Sequence, residues 1–200
     1  MILVVCALPA ELRYVAQRAG VDVLSCGIGP VEAAVGVANA LAHTRYDAVV
    51  NAGIGGAFRG AARVGDAVIV SEETLADFGL EGGGALSLPD GAALVERAFA
   101  DAALLGRTMS AGVPLARGLT VAEVTATDAT AARLRARYAA DVESMEGFSV
   151  LRAAAVAKIP ALEIRGVSNY VGDRASAEWD FAAGARATAR ALEIVLDRIA

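Results

Sequence analysis

Asn51-Ala52-Gly53-Ile54-Gly55-Gly56 joins a short apolar segment to a run of glycines in the first third of the chain. The pattern predicts a strand over Asp47–Asn51 and a turn over Gly53–Gly56. Three glycines at one strand exit remove side chains where a ligand can lie flat against the backbone. A tight turn alone would account for one or two of them, so the stretch predicts both a strand end and a binding surface.

Short apolar runs and helical patterns alternate on both sides of this stretch. The other predicted strands are Ile2–Ala7, Val21–Cys26, Asp66–Ser71, one within Ala111–Val121, and Ala161–Ser168. The predicted helices are Pro9–Arg18, Pro30–Ala42, Ala92–Leu104, Thr127–Tyr138, one that follows Asp141–Glu143 and runs through Lys158, and Glu178–Ile199. Near-continuous apolar strands between helices predict a three-layer α/β domain with a buried central sheet. We expect a single domain over residues 1–200, with Glu81–Gly84 as a surface loop.

The composition restricts the class of protein. Hydrophobic residues make up 56% of the 200 residues and aromatic residues 5%, so Val, Leu, Ile and Ala must build the core. The net charge is −5 and no basic run occurs, which argues against nucleic acid or a membrane as a partner. The early apolar run Met1–Leu8 is too short to span a bilayer and has no basic residue before it. We therefore expect a soluble, cytoplasmic protein.

Cysteine and histidine offer little reactive chemistry in this chain. Cys6 and Cys26 each stand within an apolar segment, as small core residues do in a reducing compartment. The single histidine, His43, stands at the predicted end of a helix, which argues against a zinc site and against a Ser-His-Asp triad. We expect neither a metal nor a cofactor.

Loops that follow the strands carry the chemistry of α/β folds, and several strand ends here hold candidate site residues. Glu11 stands in the first turn after the first strand, where a carboxylate also complements a helix dipole. Gly27-Ile28-Gly29 follows the second strand, but Glu32 occupies the third glycine position of a dinucleotide fingerprint, which disfavours an NAD site. The last strand ends in Ser168-Asn169, with Asp173, Arg174 and Trp179 beyond it.

Glu143-Ser144-Met145-Glu146-Gly147 places two further acids where a strand gives way to a helix. Its plainest interpretation is complementation of the helix dipole or a capping box that begins at Asp141 or Glu143. Taken with the glycine turn, the Val64-Gly65-Asp66 turn and Ser168-Asn169, however, it resembles the purine nucleoside phosphorylase and nucleosidase superfamily in motif order and approximate spacing. The resemblance covers nearly the whole chain. It implies a three-layer α/β/α fold with a central mixed β-sheet.

Two branches of that superfamily are most similar: the methylthioadenosine/S-adenosylhomocysteine nucleosidases and the futalosine hydrolases. The strings 143–147 and 168–179 resemble the futalosine hydrolases, which act in an alternative menaquinone pathway. The resemblance implies that Glu11 is the base that activates water and that Glu146 holds the ribose hydroxyls. It also implies a nucleoside-binding role for Ile54, Gly55, Gly56, Met145 beneath the sugar, Ser168, and Trp179 near the 5′ substituent.

Asn169 departs from the methylthioadenosine enzymes, which have Asp after the strand-end Ser168. An amide cannot deliver a proton, but its oxygen accepts from an N7–H while its nitrogen donates to a 6-keto oxygen. That pattern suits hypoxanthine, the base of futalosine, and mismatches adenine. Solvent or Asp173 would then supply the N7 proton. Arg174 would pair with the carboxylate of futalosine or form a surface salt bridge.

Cleavage of an N-glycosidic bond builds positive charge on the ribose and negative charge on the departing purine. Glu11, Glu146 and Asn169 fill the roles of base, cation stabiliser and purine ligand without a cofactor. The enzymatic alternatives are a methylthioadenosine/S-adenosylhomocysteine-type nucleosidase and a phosphate-dependent purine nucleoside phosphorylase. For the phosphorylase, Arg59 is the arginine closest after the glycine turn. A nucleoside-binding sensor, in which the acids only cap helices, is the non-enzymatic one.

The chain is also expected to self-associate. Its apolar fraction is high for its size, and the resembled family covers the pocket with a neighbour's loop. We therefore expect a homodimer or a dimer-based oligomer, with the apolar segment Leu104–Leu115 as a contributor to the interface.

Overall fold

The computed structural model describes residues 1–81, 88–175 and 179–200 of the chain, and its framework is a single mixed sheet. The strands are β1 Ile2–Cys6, β2 Val21–Ser25, β3 Ala48–Ala57, β4 Ala67–Leu75, β5 Arg97–Phe99, β6 Leu115–Thr120, β7 Val142–Ser144 and β8 Ala161–Tyr170. The helices are α1 Pro30–His43, α2 Ala102–Thr108, α3 Asp128–Tyr138, α4 Gly147–Ala157 and α5 Phe181–Ile199. Short 3-10 turns occur at Pro9–Leu12, Pro89–Gly91 and Met109–Ala111.

Part of the sheet closes on itself. The strand order is β2-β1-β3-β7-β6-β4-β5, and β8 pairs with both β3 and β4. Strands β3, β7, β6, β4 and β8 therefore form a ring, which β1 and β2 extend on one side and β5 on the other. Because β8 runs parallel to β3 and antiparallel to β4, the sheet is mixed.

Helices cover both faces of the sheet. On one face α5 packs onto β3 and β8, and Val50, Ile164 and Leu192 are fully buried there. On the other face α1 and α4 pack together, and Val37 and Val150 are fully buried. The predicted three-layer α/β/α fold with a central mixed sheet is confirmed.

Two of the predicted helices are wrong. Pro9–Arg18 contains only the 3-10 turn Pro9–Leu12. Ala92–Leu104 contains the edge strand β5, which pairs with β4, and the start of α2. Pairing with an existing strand here outweighs the helical preference of an alanine-rich segment. Residues 82–84 of the predicted loop, and Glu178 at the predicted start of the last helix, lie outside the described residues.

The glycine stretch is a strand and not a turn. β3 continues through Gly53–Gly56 beside β8, and none of these glycines has a positive φ. Close approach explains the glycines instead. A Cβ added at Gly53 would lie 2.7 Å from both Arg165 Nη1 and Glu11 Oε1. The strand lacks side chains here because functional groups of neighbouring elements occupy that space.

Candidate active site

A pocket of about 440 Å³ opens at the ends of β1, β3, β7 and β8, and its size lies within the range of small-molecule sites. It brings together every predicted site residue except Asp173: Glu11, Ile54, Gly55, Gly56, Met145, Glu146, Ser168, Asn169, Arg174 and Trp179. It also contains residues that the sequence did not single out for binding: Ala7, Leu8, Ile28, Val124, Glu143, Ser144 and Phe181.

Glu11 is buried, and two backbone N–H groups hold its carboxylate. Oε2 accepts from the N–H of Leu8 at 2.9 Å, and Oε1 accepts from the N–H of Ile54 at 3.0 Å. Burial raises the pKa of Glu11 above its ordinary value, although Arg165 and the two N–H groups act against this. A fixed carboxylate that is more basic than a surface glutamate suits a general base.

Glu146 is the second buried carboxylate of the pocket. Its Oε1 accepts from the N–H of Gly29 at 3.0 Å, and its Oε2 lies 3.7 Å from Arg165 Nη1. Glu146 precedes α4, yet its side chain makes no capping hydrogen bond to that helix. Helix capping therefore does not account for this acid.

Arg165 is the buried cation beside both acids, and only 1% of it is exposed. Its Nε donates to Glu163 Oε1 at 2.8 Å, and its Nη1 donates to the carbonyl of Ile54 at 3.3 Å. Burial alone would lower the pKa of Arg165, but Glu163, Glu146 and Glu11 raise it above its ordinary value. Sequence reasoning missed this residue. The sequence does contain a signal for Arg165. Glu163 and Arg165 are opposite charges two positions apart in an apolar strand, and this spacing places both side chains on one face of the strand.

The side-chain amide of Asn169 is oriented by its neighbours. Trp179 Nε1–H donates to Ser168 Oγ at 3.0 Å, and the Ser168 hydroxyl donates to Asn169 Oδ1 at 2.8 Å. Asn169 Nδ2 donates to the carbonyl of Tyr170 at 3.1 Å. This network assigns the accepting and donating ends of the amide. Each end retains capacity for one more hydrogen bond.

Arg174 and Trp179 stand together at the exposed mouth of the pocket. The Arg174 guanidinium lies 4.2 Å from the centre of the Trp179 ring, a cation–π contact. Asp173, by contrast, is exposed and does not line the pocket. Its carboxylate accepts from the N–H of Ala175 at 3.0 Å, and its own N–H donates to Asp128 at 3.0 Å. This placement disfavours the expected role of Asp173 as a proton source for the purine.

Glu143 is a buried acid in the pocket wall that anchors a neighbouring segment. Its Oε1 accepts from the N–H of Thr125 at 3.1 Å, and its Oε2 accepts from the Thr125 hydroxyl at 2.5 Å. Burial raises the pKa of Glu143. The contacts fix the segment after β6, whose Val124 also lines the pocket. Within the described ranges, no group of three or more His, Cys, Asp or Glu residues is arranged to hold a metal ion.

This fold and a pocket in which the carboxylates of Glu11 and Glu146 accompany an oriented amide define a class, the nucleoside phosphorylases and nucleosidases. A family model described as the phosphorylase superfamily matches residues 12–200. The futalosine hydrolase of Streptomyces coelicolor is 41% identical over 168 residues, which are 80% of this chain and 72% of the relative. The futalosine hydrolase of Thermus thermophilus is 36% identical over 180 residues, which are 86% of this chain and 80% of the relative. The chain belongs to the futalosine hydrolase family of the phosphorylase superfamily.

Solved structures share the fold at lower identity. The futalosine hydrolase of Helicobacter pylori superposes with a TM-score of 0.85 at 14% identity, covering 99% of this chain and 97% of that one. A 5′-methylthioadenosine/S-adenosylhomocysteine nucleosidase of Colwellia psychrerythraea, in complex with adenine, superposes with a TM-score of 0.81 at 21% identity. The match covers 99% of this chain and 95% of that one. Both comparisons bear on the fold alone.

Proposed function

We propose that this protein hydrolyses the N-glycosidic bond of futalosine and releases hypoxanthine and dehypoxanthine futalosine, a step of the futalosine route to menaquinone. The observation that carries the proposal is the meeting of Glu11, Glu146 and the oriented amide of Asn169 in one pocket. Relatives at 36–41% identity named futalosine hydrolase support the same substrate. The protein is therefore an N-glycosyl hydrolase.

Glu11 acts on the attacking water. Its two oxygens each accept one backbone N–H, and each keeps a lone pair for a further donor. A water bound there has a defined direction, because the carboxylate cannot rotate without losing both bonds. Because burial raises its pKa, Glu11 can take a proton from the water as the carbon–nitrogen bond of the substrate breaks.

Glu146 acts on the ribose, where positive charge develops. Its carboxylate is held by the N–H of Gly29 and faces Arg165 at 3.7 Å. Arg165 offsets part of the negative charge of the two acids in this buried site. A carboxylate beside the developing cation binds the transition state more tightly than the neutral nucleoside.

Asn169 binds the departing purine, and Arg174 binds the other end of the substrate. The network through Ser168 and Trp179 leaves Oδ1 to accept from N7–H and Nδ2 to donate to the 6-keto oxygen. Arg174, which stacks on Trp179 at the mouth, would pair with the carboxylate of futalosine. With Asp173 outside the pocket, solvent is the source that supplies the N7 proton.

Charge favours hydrolysis over phosphorolysis. A phosphate dianion needs cations around it, and among the described residues that line the pocket Arg174 is the one cationic side chain. Arg59 stacks on Tyr170, 4.9 Å from the ring centre, and does not line the pocket. Two carboxylates beside the reacting carbon would repel phosphate, whereas a neutral water meets no such barrier.

The test is release of free hypoxanthine from futalosine by the purified protein, followed chromatographically with and without phosphate. We expect release that needs no phosphate and is lost in Glu11→Gln. Release that requires phosphate would identify a phosphorylase. Binding of the nucleoside without release would identify a sensor.

We also infer a homodimer that forms through one face of α1. Val31 and Val35 are 70% and 63% exposed and lie one turn apart on α1. Ile28, just before the helix, is 55% exposed and lines the pocket together with Leu8. A second copy on this face would bury the valines and cover the mouth of the pocket. Leu104, in the segment expected to form the interface, is buried in the core instead.

We infer a cytoplasmic location, which the two cysteine thiols support. Cys6 and Cys26 are free and buried, and burial raises their pKa values to about 12 and about 11. Such thiols suit a reducing compartment. In the part of the chain that the structure describes, no helix is long and apolar enough to cross a membrane.

A further inference from the structure

Two fully buried glutamates, Glu73 on β4 and Glu163 on β8, take no part in the chemistry above. They share one small space under the first turn of α4. A Cβ added at Gly147 would lie 2.4 Å from Glu73 Oε1 and 2.5 Å from Glu163 Oε1. A Cβ added at Gly118 on β6 would lie 2.0 Å from Glu73 Oε1, so the space depends on the absence of a side chain at both glycines.

Two oxygens of the pair lack a hydrogen-bond donor, and Nη2 of the Arg165 guanidinium that Glu163 holds lacks an acceptor among the described residues. Glu163 Oε1 accepts from Arg165 Nε at 2.8 Å, and Glu73 Oε2 accepts from the Thr120 hydroxyl at 2.7 Å. That hydroxyl in turn accepts from the N–H of Phe148 at 2.7 Å. The remaining oxygens, Glu73 Oε1 and Glu163 Oε2, are buried without a donor among the described residues.

A single proton would satisfy this arrangement. Two carboxyl groups so close together in a dry environment do not both ionise. Glu163 has a cationic partner in Arg165, whereas the partner of Glu73 is a neutral hydroxyl. Burial and the neighbouring Glu163 carboxylate raise the pKa of Glu73 well above its usual range. The proton therefore belongs on Glu73, whose O–H then donates to Glu163.

We propose that Glu73 and Glu163 share one proton, with Glu73 as the neutral acid, and that this pair positions Arg165 between Glu11 and Glu146. Held at Nε by Glu163, Arg165 directs Nη1 toward Glu146 and the carbonyl of Ile54. Glu73 and Glu163 are positioning residues, because they act through Arg165. The catalytic consequence rests on the proposed function, but the shared proton does not.

Among the described residues, those around Glu73 provide no cation that pairs with it directly. From β8 it faces Glu163 and then Arg165, and β6 contributes the Thr120 hydroxyl. Helix α4 contributes Gly147 and, through Thr120, the N–H of Phe148. Arg165 already faces the carboxylates of Glu163, Glu146 and Glu11. An ionised Glu73 would add a fourth negative charge to one guanidinium.

The kinetic test compares neutral replacements at the two positions. Glu73→Gln keeps a neutral donor to Glu163, so futalosine cleavage should stay within a few-fold of wild type. Glu73→Ala removes the donor and should lower kcat. Glu163→Gln removes the charge that holds Arg165 and should lower kcat by about a hundredfold, with a smaller change in KM, as a misplaced catalytic group does. Equal losses in Glu73→Gln and Glu163→Gln would overturn the proposal.

A second test measures stability against pH and needs no substrate. A carboxyl group with a raised pKa in the folded state contributes stability that is full below its ordinary value of 4.5 and is lost as the pH rises. The Tm of Glu73→Gln minus that of wild type should therefore grow as the pH rises from 4.5 into the neutral range. A difference that stays constant over this range would contradict a proton on Glu73.

Infrared spectroscopy of the wild-type protein decides the case if the variants do not fold. A carboxylic-acid C=O band should be present at neutral pH, and Glu73→Gln, where it folds, should weaken that band. Absence of the band in wild type would rule out a neutral Glu73. If the protein did not cleave futalosine, the proposed function would fail, while the infrared and stability results would still report on the proton.

Discussion

Glu11 is the residue on which the proposed chemistry depends most directly, since it is the buried carboxylate available to activate water. Glu11→Gln should lower kcat by about a hundred- to ten-thousand-fold, the usual contribution of a general base. The variant should remain folded, because the amide fills the same space and the mismatch of its NH2 with one of the two backbone N–H groups costs about 1–3 kcal/mol. Steady-state kinetics with futalosine, together with circular dichroism, measure both outcomes. Near wild-type turnover by a folded variant would show that another group is the base.

The pH dependence of the rate should report the same carboxylate. Only ionised Glu11 accepts a proton, and burial raises its pKa above the ordinary value of 4.5. We therefore expect kcat/KM to fall as the pH drops, with a midpoint above 4.5. The residual rate of Glu11→Gln should lack this decline. A midpoint at or below that of a surface glutamate would argue against a buried base.

Asn169 should select 6-oxopurines over 6-aminopurines. Its Nδ2 would oppose the 6-amino group donor to donor, and an unpaired buried donor costs about 1–3 kcal/mol, or roughly ten- to a hundredfold in kcat/KM. Asn169→Asp should reverse part of this preference, because a carboxylate accepts from the amino group. The measurement is kcat/KM for matched 6-oxo and 6-amino nucleosides with both proteins. An unchanged ratio would mean that Asn169 does not read the purine.

At the scale of single elements, β3 shows how a strand can be shaped by its neighbours. Gly53→Ala would put a methyl group 2.7 Å from both Arg165 Nη1 and Glu11 Oε1, so one of the two must move. We expect a loss of about a hundredfold in kcat from this displacement. Gly106→Ala is the matched control, because a Cβ there meets nothing within 4 Å and the residue lies within α2. If both variants kept full activity, the close packing around Gly53 would be irrelevant to catalysis.

The same elements show what the sequence could and could not predict. The alternation of apolar strands and helices predicts the three layers, because each buried strand has its own local apolar pattern. The closing of the ring by β8 and β4 has no local signal, since it joins residues about a hundred positions apart, such as Val68 and Arg165. The glycines of β3 resemble a turn in sequence, because the groups that fill their space come from elsewhere in the chain.

Site residues that stand in a family motif could be predicted from the sequence. Site residues whose role depends on burial between distant elements could not. Glu11, Glu146 and Asn169 stand in motifs that a resemblance can locate. Glu163 and Arg165 are exceptions to an apolar strand, and only the fold shows that they face each other and the pocket acids. Asp173 was predicted from nearness in sequence to Ser168-Asn169, but the chain turns away after β8 and exposes it.

At the scale of the whole molecule, the site depends on elements drawn from the full length of the chain. Glu11 follows β1, Glu146 precedes α4, and Asn169 ends β8. Strands β7 and β8 belong to the ring, and β1 pairs with β3 of the ring. The helices that cover the sheet bury its apolar residues on both faces. One surface next to the pocket is not covered in this way, the exposed apolar face of α1.

That face should be where two copies meet. Val31→Glu would place a charge on a residue that is 70% exposed in the single chain and buried in the proposed dimer. We expect this variant to be monomeric at micromolar concentration and to lose activity, because Ile28 and Leu8 at the pocket mouth would lose their cover. Met109→Glu is the control, since Met109 is 64% exposed in the segment first expected to form the interface. Light scattering gives the mass of each protein; a dimer abolished by Met109→Glu alone, or a monomeric wild type, would refute the assignment.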